Sequence, residues 1–225
     1  MNVLELFKGG GSISKYWSQI HIENADNPNV NVISLDIDEK YNPTICCDIM
    51  DFDYKQYPVG YFDIIWASPE CKIFSQLQYT HINTEKSKRK LKWNSKEELL
   101  EERKKHSKYI NKTIEIIEYL KPSLYYIENP LSSSIWNYIE NKDYLEHYVI
   151  VDYCRFGYDY QKPTKILTNN DLKNMRCECK KKHIRRVGIN SDKELKVKHQ
   201  RQWRDTSSLV ERYSIPQPLL EYLFT

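Results

Sequence analysis

Cys71, in the run Ser68-Pro69-Glu70-Cys71-Lys72-Ile73-Phe74-Ser75, and Glu128, in Tyr125-Tyr126-Ile127-Glu128-Asn129-Pro130, are the residues of this chain best placed for covalent chemistry. Each follows a short apolar run with the look of a buried strand, and in an open α/β sheet sites are built outside the carboxyl ends of the strands. A cysteine attacks as its thiolate, a form favoured near cations or helix amides. Lys72 would help Cys71 in this respect and Glu70 would hinder it. A glutamic acid held by its neighbours can donate a proton. The bland alternatives are an inert buried cysteine and a Glu-Asn-Pro that only makes a turn.

The elements that must position this pair follow from apolar patterning. Residues 3–7 read as a strand, 8–11 as a glycine turn and 13–20 as a helix. Further strands are expected over 31–35, 44–47, 64–67, 124–127, 148–153 and 165–168. A long helix is expected over 96–120, where Ser95 and Glu98 form a capping box and Pro122 follows the end. Ile110, Ile114, Ile117 and Leu120 line its inner face, and a short helix closes the chain over 213–224. Strands alternating with helices predict an α/β fold with a mostly parallel sheet flanked by helices on both faces. At 225 residues and 40% hydrophobic content the chain is long enough for one substantial domain, although its mean hydropathy of −0.72 is polar.

Three strand ends in succession carry the pattern of a nucleoside pocket. Phe7-Lys8-Gly9-Gly10-Gly11 lets backbone approach a ligand at a helix N-terminus, although glycine in a tight turn is weak evidence alone. It has neither the ending of a phosphate loop nor the dinucleotide glycine spacing. Asp36, after the second strand, is placed to accept hydrogen bonds from ribose hydroxyls, with Asp38 the competing position. Asp48 after the third strand could meet an adenine amino group, with Ile49 against the ring. A single aspartate there is more often a helix cap; three elements in order are not.

The formal net charge of +3 hides an asymmetry. Residues 172–204 hold 12 Lys/Arg against 3 Asp/Glu, a net of +9, which leaves −6 for the rest. Lys86, Lys88, Arg89, Lys90 and Lys92 form a second basic run, and together the two point to a polyanionic partner rather than only a solvated face. No apolar run approaches the roughly 20 residues of a membrane span, and a strand-like N-terminus leaves no room for a signal peptide, so an intracellular protein is expected. The six cysteines form no disulfide framework. Cys177 and Cys179 with His183, joined by Cys154, offer a ligand run of atypical spacing that lacks a settled fourth donor, and no metal is assigned to it.

Taken together, these runs resemble the C5-cytosine DNA methyltransferase family. VLELFKGGGSI is similar to its F-x-G-x-G motif through Phe7, Gly9 and Gly11; ISLDID and CDIMDFD stand where its second and third motifs stand. SPECKIFS resembles the P-C-Q-x-F-S motif, YYIENP the E-N-V motif, FGYDYQKPTKILTN the Q-R-x-R strand and RYSIPQPLLEYL the last motif. The similarity spans nearly the whole chain in the family's order.

The resemblance implies a Rossmann-like fold binding S-adenosyl-L-methionine near Phe7, Gly9, Gly11, Asp36, Asp48, Ile49 and Pro69. It implies that Cys71 attacks C6 of a flipped cytosine, that Glu128 contacts N3, that Asn129 braces the loop and that Lys165 stands in a catalytic arginine position. Lys72, Ser75, Gln161, Lys165, Arg185 and Arg186 would contact nucleic acid. It further implies a catalytic domain over 1–169 and 205–225, a small basic target-recognition segment over 170–204, and a monomer acting on double-stranded DNA.

Departures stand at Glu70, where the family has Pro, at Lys72, where it has Gln, and at Pro163 and Lys165, where it has Arg. Lysine lacks the planar fork of arginine. About 40 residues separate Thr168 from the last motif, which resembles the compact members found in phages and large DNA viruses and implies a site of about two to four base pairs. The alternatives are the same chemistry on RNA such as tRNA, and an inactive protein that keeps cofactor or DNA affinity. DNA-amino methyltransferases are disfavoured, since no D/N-P-P-Y/F run follows a strand.

Overall fold

Val3, Leu4, Leu6, Ile65 and Ala67 are sealed from solvent, as are Ile127 and Ile166. Strands apolar on both faces must lie inside a sheet covered on both sides. In the computed structural model, which describes residues 1–23, 30–82, 93–158, 160–179 and 213–224, that sheet has seven strands. They are β1 (Asn2–Leu6), β2 (Asn31–Asp36), β3 (Ile45–Cys46), β4 (Ile64–Ala67), β5 (Leu124–Pro130), β6 (Tyr148–Asp152) and β7 (Pro163–Thr168). Their order is β3-β2-β1-β4-β5-β7-β6. All neighbours are parallel except β5–β7 and β6–β7, so the sheet is the mostly parallel, Rossmann-like one expected.

Helices cover both faces. On one side α2 (Lys96–Leu120) buries Ile110, Ile114, Ile117 and Leu120 against Leu4, Leu6, Ile65, Ile127 and Leu167. On the other, α1 (Ser12–Glu23) and α3 (Gln217–Phe224) pack on Val3, Trp66, Tyr126 and Ile166. The Tyr126 hydroxyl donates to the Leu223 carbonyl (2.5 Å) and pins α3. α3 is shorter than the expected 213–224 because Pro216 stands just before it.

The ends of α2 are set locally. Ser95 Oγ accepts from the Glu98 amide (3.2 Å) while Glu98 Oε2 accepts from the Asn94 amide (2.6 Å), one residue earlier than in a standard capping box. Lys121 turns left-handed and closes the helix onto the Ile117 carbonyl (2.9 Å). No helix among the described residues is long and apolar enough to cross a membrane. Lys86, Lys88, Arg89, Lys90, Lys92, His183, Arg185 and Arg186 lie outside the described residues, as does most of the 170–204 segment.

Candidate active site

The sheet reverses its build direction between β1 and β4, and this topological switch opens a crevice beyond the strands' carboxyl ends. A cavity of about 450 Å³ occupies it, a volume suited to a small ligand. Its wall is made by residues just past four strands: Phe7 and Gly9 after β1, Asp36 and Ile37 at the end of β2, Asp48 and Ile49 after β3, Ser68 and Pro69 after β4.

The β1 turn is held by an interaction the sequence reading missed. Glu5, 2% exposed within β1, accepts hydrogen bonds from the Ile13 amide (3.1 Å), the Ser14 amide (3.3 Å) and the Ser14 hydroxyl. It thereby caps the N-terminus of α1 from the neighbouring strand, and its burial pushes its pKa up, opposed by the hydrogen bonds it accepts. A lone acid inside an apolar strand run was the available signal. Between the two elements the chain runs through left-handed residues at Phe7, Gly9 and Gly11. Gly11 does not line the cavity; a Cβ there would sit 3.2 Å from Lys8 Cε, so its part is the turn itself.

The β2 and β3 ends are tied to that turn. Asp36 Oδ2 accepts from the Gly9 amide (2.8 Å) and Oδ1 from the Asp38 amide (2.9 Å), which fixes the carboxylate at the cavity wall with lone pairs to spare. Asp48 both faces the cavity and caps a 3₁₀ turn through the Met50 amide (2.9 Å), so the cap reading and the wall reading are both realised. Asp38, the competing position, also lines the cavity, where it caps another 3₁₀ turn and pairs with Lys40. His106 and Tyr109 of α2 close the far wall, which no local pattern indicated.

Glu128 and Asn129 do not follow the strand expected over 124–127. They lie inside β5, which runs on to Pro130 because its far end pairs antiparallel with β7. Asn129 Nδ2 donates to the Pro69 carbonyl (2.8 Å), joining β5 to the loop that carries Cys71. Cys71 and Glu128 are electrostatic neighbours: burial first, then Glu128, pushes the thiol up to about 11, while Lys162 pulls it down. Glu128, 8% exposed, accepts from the Tyr153 hydroxyl at a long 3.4 Å.

Among the described residues, the cation that acts on the Cys71 thiol is Lys162. Lys72 is exposed. Lys165 stands directly opposite Asn129 and therefore shares its face of the sheet, away from Glu128, since side chains alternate along a strand. Its ammonium sits over Tyr148 (4.1 Å) and Trp136 (5.4 Å). Lys162, one residue before β7 at a left-handed φ of 33°, lies 4.3 Å from the Tyr153 ring centroid. Burial holds its pKa down, opposed by Glu128 and Cys71.

The remaining expected contacts serve the scaffold in part. The Ser75 hydroxyl caps the turn after the Cys71 loop through the Leu77 amide (3.2 Å), and the Gln161 carbonyl accepts from the Tyr153 amide (2.7 Å). Arg103 of α2, 1% exposed, clamps the Cys71 loop by donating to the carbonyls of Ile73 and Ser75 (both 3.0 Å) and to the Tyr79 hydroxyl (3.0 Å). Hydrogen bonds from a buried guanidinium are worth about 1.5–3 kcal/mol each. None of the six cysteines is in a disulfide, and the sulfurs of Cys154, Cys177 and Cys179 lie within 4.8 Å of one another.

The class defined by this geometry is a Rossmann-like α/β protein with a nucleoside-sized cavity at its switch point and a thiol–acid–ammonium cluster beside it. No protein-family model matches the sequence. A protein of Frog virus 3 named probable DNA (cytosine-5)-methyltransferase is 31% identical over 172 residues, 75% of this chain and 71% of that protein. On that relationship the chain belongs to the C5-cytosine DNA methyltransferase family. Among solved structures, a methyltransferase of Entamoeba histolytica is 16% identical with a TM-score of 0.49, over 84% of this chain and 61% of the other. The Dnmt2 methyltransferase of S. pombe is 16% identical with a TM-score of 0.47, over 77% and 53%. The chain thus spans 61% and 53% of the length of those two proteins.

Proposed function

We propose that this protein transfers the methyl group of S-adenosyl-L-methionine to C5 of a cytosine flipped out of DNA, within a site of about two to four base pairs. The observation that carries the reading is the juxtaposition of the Cys71 thiol with Glu128 and Lys162, on a loop whose Pro69 also walls the cofactor-sized cavity. The name of the Frog virus 3 relative supports the choice of base and of DNA. The net +9 over 172–204 supports a polyanionic partner.

The cavity suits the nucleoside half of the cofactor. Asp36 would receive the ribose hydroxyls, Asp48 the adenine amino group, and Ile49 and Phe7 the ring faces. Bound there, S-adenosyl-L-methionine supplies an electrophilic methyl group on a positively charged sulfur. The chain's own residues do the rest. Cys71 gives up its thiol proton as it bonds to C6 and pushes electrons onto C5; the Glu128 carboxylate takes up a proton and passes it to N3, and so stabilises the enamine that forms. After C5 is methylated, loss of its proton restores the double bond and breaks the bond to Cys71. Lys162 offsets the charge of the thiolate, and Asn129 holds the loop through Pro69.

Asp36→Ala is expected to weaken S-adenosyl-L-methionine binding by about 10- to 100-fold, the worth of one or two hydrogen bonds to a charged acceptor. Calorimetric titration checks this, and the same measurement on Asp36→Asn, which keeps an acceptor for the Gly9 amide, separates lost ligand contacts from a loosened turn. The reading itself is tested by incubating the full chain and labelled cofactor with unmethylated DNA or with total tRNA, followed by nucleoside mass spectrometry. 5-Methyldeoxycytidine is the expected product. Label appearing only in tRNA would move the substrate to RNA; no methylated cytosine from cofactor-binding protein would end the catalytic reading.

A further inference from the structure

We infer that Cys154, Cys177 and Cys179 form a zinc site that fastens the root of the basic segment to the β6–β7 pair. Their three sulfurs come within 4.8 Å of one another although Cys154 is more than twenty residues from the other two. Thiolates at about 2.3 Å from a tetrahedral zinc stand about 3.8 Å apart, so small side-chain adjustments close the site. Three sulfurs select zinc over the hard cations, which take oxygen. The fourth tetrahedral position is left to water or another donor.

The backbone on both sides holds the ligands in place independently of any metal. Residues 174–177 are zipped to β6. Asp152 and Met175 exchange amide–carbonyl hydrogen bonds with the opposing chain, Asp152 N to Met175 O and Met175 N to Ile150 O, both 2.9 Å. Asp152, wholly buried, receives the Cys177 amide (2.7 Å) and the Arg176 guanidinium (2.9 Å) on Oδ2. Arg155, next to Cys154, pairs with Glu178 between the other two cysteines (2.9 Å). The Cys179 amide donates to Cys177 Sγ at 3.4 Å. The site is pre-formed by the fold, which a chance grouping of surface cysteines would not be.

Its consequence is mechanical. The same hairpin carries Tyr153 and Lys162 of the thiol cluster, so a metal here would tie the start of the basic segment to the loop that faces Cys71. The inference stands on these ligands alone and does not depend on the reaction proposed above.

The test uses the whole reduced protein, stripped with a chelator and titrated with cobalt(II) as the probe. One equivalent should produce an intense thiolate-to-cobalt charge-transfer band, and zinc should abolish it stoichiometrically. Cys154→Ser, Cys177→Ser and Cys179→Ser should each weaken zinc binding by more than about a hundredfold, while Cys46→Ser, on the opposite edge of the sheet, should leave it unchanged. Because the first reading is made on the unaltered chain, a variant that fails to fold does not decide the matter. A stoichiometric titration without the band would overturn the site, as would a band that survives loss of all three thiols. An intact mass that lacks two thiol hydrogens before reduction would replace the metal by a disulfide.

Discussion

Cys71→Ala should lower methyl transfer by more than about a thousandfold while leaving S-adenosyl-L-methionine affinity within about twofold. The size follows from the chemistry: C5 of cytosine is not nucleophilic until C6 carries a substituent, and no other thiol is placed beside Glu128 and Lys162 among the described residues. The cofactor arm is spared because Cys71 does not line the cavity, although Pro69 and Glu70 do. DNA carrying fluorine at C5 of the target cytosine sharpens the experiment. Fluorine cannot leave as a proton does, so the wild-type protein should remain covalently attached and the variant should not. Full activity in Cys71→Ala, or an adduct that persists in it, would remove the nucleophile from the mechanism.

The same thiol carries a pH signature. Burial and Glu128 raise its pKa to about 11, so at neutral pH the free protein holds it protonated. Below that value the thiolate fraction climbs tenfold for each pH unit, and alkylation of Cys71 by iodoacetamide should do the same between about pH 7 and 9. Mass spectrometry of the Cys71 peptide reads it directly. A rate flat across that range would mean a thiolate already formed at neutral pH.

Glu128→Gln should cost about a hundredfold or more in single-turnover methyl transfer, the usual worth of a positioned proton donor. Glutamine keeps the shape and a hydrogen-bond donor for N3 but cannot give up a proton, so DNA affinity should be nearly unchanged. The useful control runs in the opposite direction. Glu128 is the second largest cause holding the Cys71 thiol up, after burial, and Lys162 opposes it. Removing the carboxylate charge should bring the thiol pKa down and speed its alkylation at a fixed pH. Slower chemistry on DNA together with faster chemistry on iodoacetamide is a combination that general unfolding or a displaced loop does not produce. Parallel losses in both would mean that Glu128 only supports the structure.

Much of the scaffold was legible from local pattern. The run Ile64-Ile65-Trp66-Ala67 is apolar on every side because β4 is buried on both faces, and its bounds are as expected. The same holds for α2, whose first residue is announced by Ser95 and Glu98 and whose last precedes Pro122 by two. Asp36, Asp48 and Pro69 could be placed because a residue's position just past a buried strand is itself a local property. The chemical types of Cys71 and Glu128 were legible for the same reason.

What local pattern could not supply was register. β5 continues through Glu128 and Asn129 only because β7 returns antiparallel beside it, a pairing between segments more than thirty residues apart. That pairing puts Lys165 opposite Asn129 and sends its ammonium to Trp136 and Tyr148, while Lys162, three residues earlier and outside the strand, takes the place beside Cys71. Strand side chains alternate, so a shift of one position in pairing exchanges the two faces of a sheet, and no run of residues read alone reveals it. The meeting of Cys154 with Cys177 and Cys179, and the reach of Arg103 from α2 to the Cys71 loop, are of the same kind. Sequence by itself determined which residues could react and which strands would carry them; the tertiary pairing of β5 with β7 decided which of them stand together.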